Sequence, residues 1–508
     1  MAAILLLFLI CISCGDTFRP VAVPVQQPPP DPGSFHFAVM VNGNGPTNPG
    51  TTTRIDVSGD TNAGNSVAGF GPVHAALLAN AARIYVANNG EDTVSSYAPS
   101  NTTSIVTTSL PPGSRPAFVG TAENANVYVA NSGAGTVSVI SSSNVLTSTV
   151  TVGANPLALV ETPDMRKVYV ANQGSGTVTS INTIDKTVNA TIATGASPVW
   201  VAARSDSARV YVLNSGAGTV STIDTSLDTV IGSVSIGAGG NYMVYEPRFN
   251  RLYITNPTAN SLTALDVTGS TAALLYAVPV MATPVSVAVV PDGSRAYVAS
   301  FHQVPPCTSN PGDVQPCISS EVTVFNSSDG SVRDMTSLQS SVNITAASQS
   351  GTDTTYSYSL TAGPPLATGM TVVITGMADA GNNGTFTVTG GLAGAFVVTN
   401  SAGVTASGQG GIGTSVVEVD TVNPTGCGSA RFRLSAAASA TSPRVYVGNC
   451  DAGNLSILRT VAETSPDGTH FAADTVVLNL PAPVSAFPAP TPTQQPPRQN
   501  PVFVLPEP

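Results

Sequence analysis

Val168-Tyr-Val-Ala-Asn-Gln-Gly-Ser-Gly-Thr-Val-Thr-Ser-Ile181 sets two short runs of β-branched residues on either side of Asn172-Gln-Gly-Ser-Gly176. Val168, Val170, Val178 and Ile181 favour extended backbone, and the Asn-Gly cluster between them can supply the positive φ angles of a tight reversal. The stretch therefore predicts a β-hairpin. It is written again around Tyr85, Tyr128, Tyr211 and Tyr253, and in shorter form at Ala296-Tyr-Val-Ala-Ser300 and Val445-Tyr-Val-Gly-Asn449. The first five intervals between these tyrosines are 43, 41, 42, 42 and 44 residues. Two more strand-like runs lie between hairpins, for example Thr187–Ala193 and Pro198–Ala202, which brings each repeat to four strands. A period near 42 suits one four-stranded propeller blade.

Tyr-Val-Ala-Asn followed by Gly-x-Gly-Thr-Val, and then Ile223-Asp224, resembles the YVTN family of bacterial β-propeller repeats from about Phe37 to Leu480. The resemblance implies an all-β, seven-bladed β-propeller. The degenerate copy Phe37–Asn42 with Thr51–Val57 either lends strands that close the ring or makes an eighth blade. The propeller is expected over 34–344 and 413–480, a small inserted β module over 345–412, and a Pro-rich disordered tail over 481–508. Val502-Phe-Val-Leu505 is the one run there that could add a strand.

Only 9% of the 508 residues are charged and 42% are hydrophobic, the profile of an exported β protein with enough apolar content for a core. The formal charge of −11 argues against nucleic acid and anionic membrane surfaces as partners. Residues 1–13 read as a signal peptide, since Ala2–Ile12 is apolar and too short to span a bilayer. Ser13-Cys14 resembles a bacterial lipoprotein cleavage site, which makes Cys14 the expected lipidation residue and the lipid the expected contact with a membrane. Residues 14–33, with six prolines from Pro20 to Pro32, then form a semi-rigid spacer.

The repeated asparagines (Asn88, Asn131, Asn172, Asn214, Asn256) are expected to bond their own turns, the tyrosines to pack between blades, and Trp200 to be core. The hairpin after Tyr297 departs from the pattern, because its loop takes in Phe301, His302, Cys307 and Cys317. Export favours a Cys307–Cys317 disulfide over a metal site with His302, as no recognised ligand spacing is present. In a propeller, the loop entering the first strand of a blade and the turn between its second and third share one face. Cys427 and Cys450 can therefore meet as a second disulfide. The long hairpin and the inserted module fall on that face too.

The expected function is non-catalytic binding of a protein or glycan of the cell envelope through this face, with Phe301 and His302 as candidate contacts and no cofactor. Two alternatives stay open. One is a lactonase-like or metal- or cofactor-dependent propeller enzyme, against which stand only four scattered histidines, His36, His74, His302 and His470, and a lone Trp. The other is a structural envelope or surface-layer component.

Overall fold

The computed structural model describes residues 37–505, apart from 46–47, 79–81, 122–125, 281, 305–316, 363–364, 367, 369, 393, 419–426, 428–432, 465–469 and 484–497. Residues 1–36, with Cys14 and the Pro-rich spacer, lie outside this set, as do Cys307 and the side chain of Cys317. Among the described residues no helix is long and apolar enough to cross a membrane.

The repeat folds as its spacing predicts. In the fourth sheet Pro156–Glu161, Lys167–Asn172, Thr177–Asn182 and Val188–Ala193 pair antiparallel in chain order. Gly176 takes a φ of +65° in the hairpin and donates its N–H to Asn172 O at 3.1 Å, which closes the turn. Eight such sheets are present, and the chain is an eight-bladed β-propeller. The first strands of the blades touch their neighbours in a closed ring of eight. Six of these strands carry Pro in their first two positions (72, 116, 156, 198, 284 and 501), where an edge strand tolerates a missing N–H.

The sheet that closes the ring forms from both ends of the chain. Phe37–Gly43, Pro49–Asp56 and Thr61–Phe70 make its three outer strands, and Asn500–Leu505 is its innermost one. Val39 pairs with Leu505 and Val41 with Phe503. The expectation of a disordered tail over 481–508 is therefore corrected for 500–505. Val502 and Val504 alternate with half-buried Phe503 and pack on the two neighbouring blades, which outweighs the Pro-rich composition just before them. The blade made by 37–70 and 500–505 is counted here as the first, so that Pro72–Ser109 forms the second.

Between blades seven and eight lies the inserted module. Its six strands, Ser341–Ser350, Asp353–Ala362, Thr371–Thr375, Gly384–Leu392, Ala395–Thr399 and Ala406–Glu418, close into a barrel. Val342, Ile344, Tyr356, Val372, Phe396 and Val398 fill it. The outer strands run past 345 and 412, and Val417 and Glu418 extend the sheet of blade seven by pairing with Ile318 and Cys317.

All seven repeat tyrosines are at most 1% exposed, each packed on the following blade, as Tyr169 is against Val201, Val210 and Val212. Asn256 bonds its own turn as expected, its Oδ1 accepting from the N–H groups of Thr258 and Ala259 at 3.0 Å, whereas the other four repeat asparagines behave differently. Asn42, Asn88, Asn131, Asn172 and Asn214 use Nδ2 to bridge two hydroxyls of the next strand, as in Asn172 to Thr177 (3.2 Å) and Thr179 (2.9 Å). Their role is to pin the hairpin stem through side chains rather than through the backbone of the turn. The Thr and Ser at the fifth and seventh positions after Asn88, Asn131, Asn172 and Asn214 were the visible signal for it.

Candidate functional site

In every blade the second strand ends, and the next blade's first strand begins, on the same face, called here the upper face. On it, blades seven and eight depart from the repeat. Arg295–Val304 and Cys317–Asn326 continue as paired strands beyond Ser300, with Phe301 opposite Ser320 and His302 opposite Ser319. The barrel follows the last strand of blade seven, Val332–Ser337, and so enters from the same face. Cys427 and Cys450 are joined at an S–S distance of 2.08 Å, with Cys450 at the hairpin turn of blade eight.

Strand alternation separates the two candidate contacts. Phe301 points to blade eight, where it is half-buried and the Arg433 guanidinium lies 4.7 Å from its ring centroid, a cation–π contact. His302 points the opposite way and is exposed. The structure thus does not place them on one surface.

Arg433 Nη1 lies 3.5 Å from Asp451 Oδ2, and Asp451 keeps only 3% of its side chain exposed. Burial pushes the Asp451 carboxyl up to about 6 against the opposing pull of Arg433. Glu321, opposite Ser300, is also raised by burial, with His302 acting the other way. The sign for stability follows. The folded form holds the Asp451 proton more tightly than the unfolded chain does, so its ionised state costs stability above about pH 6, by about 3 kcal/mol. That cost is relieved as pH falls from 6 towards 4. Urea midpoints measured at pH 4.5 and pH 7 are expected to show a gain at the lower pH. Asp451→Asn should show a smaller gain, with Glu321 supplying what is left. An unchanged difference in the variant would refute the assignment.

A second constellation surrounds the propeller axis. The rings of Phe503 and His74 lie 4.1 Å apart, those of His74 and Phe118 3.8 Å, Phe118 and Trp200 5.8 Å, and Trp200 and Tyr242 4.6 Å. All five sit on innermost strands, and Phe118 reaches Trp200 across blade four, where the equivalent residue is Ala158. On the opposite side the equivalent residues are Ser286 and Ser435, whose hydroxyls accept N–H bonds from Ala436 and Val504 of the next innermost strands. The aromatic arc fills one side of the bore and the serines staple the other. Trp200, expected as core, is a half-buried member of this arc. Sequence reading missed the arc because its members share a register position but no residue type.

Among the described residues no three His, Cys, Asp or Glu side chains stand close enough to share a metal ion. His74 and His302 are far apart in the fold, one on an innermost strand and one on the upper face, while His36 and the His470 side chain lie outside the described residues.

The class of protein defined by these sheets is a β-propeller with an inserted barrel. No family model matches the chain, and no curated protein matches it. Solved structures do. A 6-phosphogluconolactonase candidate from Bacteroides uniformis aligns at 16% identity and a TM-score of 0.45, covering 59% of this chain and 95% of its own. A protein from Lactobacillus plantarum aligns at 18% and 0.47, with 59% and 95% covered. Virginiamycin B lyase from Staphylococcus aureus aligns at 11% and 0.39, with 52% and 83% covered.

Proposed function

We propose that this chain is a YVTN-type propeller, exported and held on a bacterial envelope by a lipid on Cys14, that binds a protein or glycan without catalysis through the upper face of blades seven and eight. The observation that carries the reading is positional. The long hairpin, the barrel and the Cys427–Cys450 bond all leave the repeat pattern on one face of two adjacent blades. Six blades keep short turns on that face, whereas this pair presents loops on a rigid scaffold, the arrangement in which connecting segments carry recognition. Leu392, 84% exposed at a hairpin turn of the barrel, adds an apolar contact on the inserted part.

The test is capture from solubilised envelope by the chain without its first 33 residues. A form with residues 341–418 replaced by a short Gly-Ser linker serves as comparison, and His302→Glu covers the case in which that replacement fails to fold. Capture by the intact form, reduced in both variants, is the expected result. Equal capture by all three would remove the upper face from the account, and capture by none would favour a spacer role.

A further inference from the structure

Seven of the eight blades carry Asn at or one residue before the end of their second strand, at positions 42, 88, 131, 172, 214, 256 and 449, and blade seven has Ser300 at the equivalent place. In five blades the Asn amide nitrogen is the donor that satisfies two hydroxyls of the third strand. The register of blade seven places Glu321 where Thr177 stands in blade four, and Thr323 where Thr179 stands. The donor is thus gone, and one of its two acceptors has become a carboxylate.

The consequence is visible in the bonding. Ser300 Oγ, Glu321 Oε1 and Thr323 Oγ1 are buried atoms with no hydrogen-bond partner. Ser300 is 0% and Thr323 3% exposed. All three side chains lie on one face of the strand pair, the face that turns Val298 and Phe325 towards blade six. Leaving such groups unsatisfied is costly, about 1–3 kcal/mol each. Glu321 as a whole is only half-buried, and the next residue along that face, His302, is exposed at the upper face.

We propose that Ser300, Glu321 and Thr323 form a receptor for one primary ammonium group. Three oxygens meet three N–H donors, and the single carboxylate balances the single positive charge. The nitrogen replaces the amide that five of the other blades carry within the chain. A divalent metal fits less well, because one carboxylate leaves it under-neutralised, and although His302 acts on Glu321 from the same face, no three His, Cys, Asp or Glu side chains among the described residues stand close enough to share an ion. The ammonium can come from a lysine side chain of a bound protein or from a small amine such as ethanolamine. The inference rests on the proposed binding face only for the direction of entry, and amine binding and partner capture are read separately.

The test is saturation-transfer NMR on the full chain with Nα-acetyl-lysine methylamide, with ethanolamine, and with the Nε-trimethylated lysine derivative, which keeps the charge and has no ammonium N–H. Saturation of at least one primary amine and none of the trimethylated probe is expected, and the tighter amine names the source. Glu321→Gln and Ser300→Asn should each weaken that binding by about tenfold or more, about 1.4 kcal/mol. Ser300→Asn restores the residue of the other blades and should unfold at or above the wild-type temperature, so loss of binding there cannot be assigned to misfolding. No saturation of either primary amine, or undiminished binding by Ser300→Asn, overturns the proposal.

Discussion

Deleting residues 498–508 is expected to abolish the single sharp thermal transition of the propeller and to drive the protein into aggregates on size-exclusion chromatography. Asn500–Leu505 is the innermost strand of the blade whose other strands come from residues 37–70. Its loss leaves the N–H and C=O groups of Phe37–Gly43 without a partner on one side, an exposed edge in the middle of the ring. It also uncovers the pockets of Val502 and Val504, each worth about 1.5–3 kcal/mol of burial. Three further ties go with it. Asn500 Nδ2 donates to Cys450 O at 2.9 Å, Thr51 Oγ1 to Gln499 Oε1 at 2.7 Å, and Val504 N to Ser435 Oγ at 3.1 Å. A synthetic peptide of residues 498–508 added in trans should restore part of the transition. An unchanged melting temperature in the deleted form would show that the ring closes without this strand.

Asp474→Ala is expected to lower stability by about 3–5 kcal/mol, the range for breaking a buried ion pair from one side. Asp474 sits in a tight turn of blade eight with φ +62° and 2% of its side chain exposed, and it receives three donors from blade seven. Arg295 Nη1 lies 2.5 Å from Oδ1 and Arg333 Nε 2.9 Å from Oδ2, while the Tyr297 hydroxyl donates to Oδ1. Burial, and then the Asp474 carboxylate, push the Tyr297 phenol far upward, so it stays a donor at any physiological pH. Removal of the carboxylate strands the largely buried Arg295 guanidinium and the buried Tyr297 phenol, while Arg333, half exposed, falls back on water. The same latch recurs between blades four and five, where Asp228 takes Lys167 at 2.7 Å and the Tyr169 hydroxyl, and between blades eight and one, where Asp60 takes Arg444 at 3.2 Å. Asp329→Ala, in an exposed turn of blade seven, is the control and should move the urea midpoint far less. Equal shifts for the two variants would refute the latch.

The hairpin repeat was legible because Val, Tyr and Ile alternate at a fixed offset from a Gly-rich turn, and periodicity of that kind survives any ligand. The closing strand was harder to see. Asn500–Leu505 is six residues behind a long Pro-rich run, and pairing with residues more than 450 positions away leaves no local trace. The barrel was half-visible for a compositional reason. Thr371–Thr375, Gly384–Leu392 and Ala395–Thr399 carry β-branched and aromatic residues, whereas Ser341–Ser350 and Ala406–Glu418 are rich in Ser, Ala and Gly and take their strand state from neighbours. At the candidate site the replacement of Asn by Ser300 stood in plain view within Tyr297-Val-Ala-Ser. Its meaning was hidden, because the part played by the repeat Asn, a side-chain bridge to two hydroxyls, emerges only from the register of the sheet. The aromatic arc left even less, since equivalence of His74, Phe118 and Trp200 is a property of strand alignment and not of residue type.

The closing strand also decides how the binding reading must be tested, since a protein ending at residue 480 lacks the inner strand of its first blade. The most direct measurement is therefore envelope capture by residues 34–508, set beside the form lacking 341–418 and the His302→Glu variant, with melting temperatures confirming that each is folded. The account predicts a partner retained by the intact protein and lost or weakened in both altered forms. A partner retained equally by all three, or none retained by a folded intact protein, would contradict a binding face on blades seven and eight.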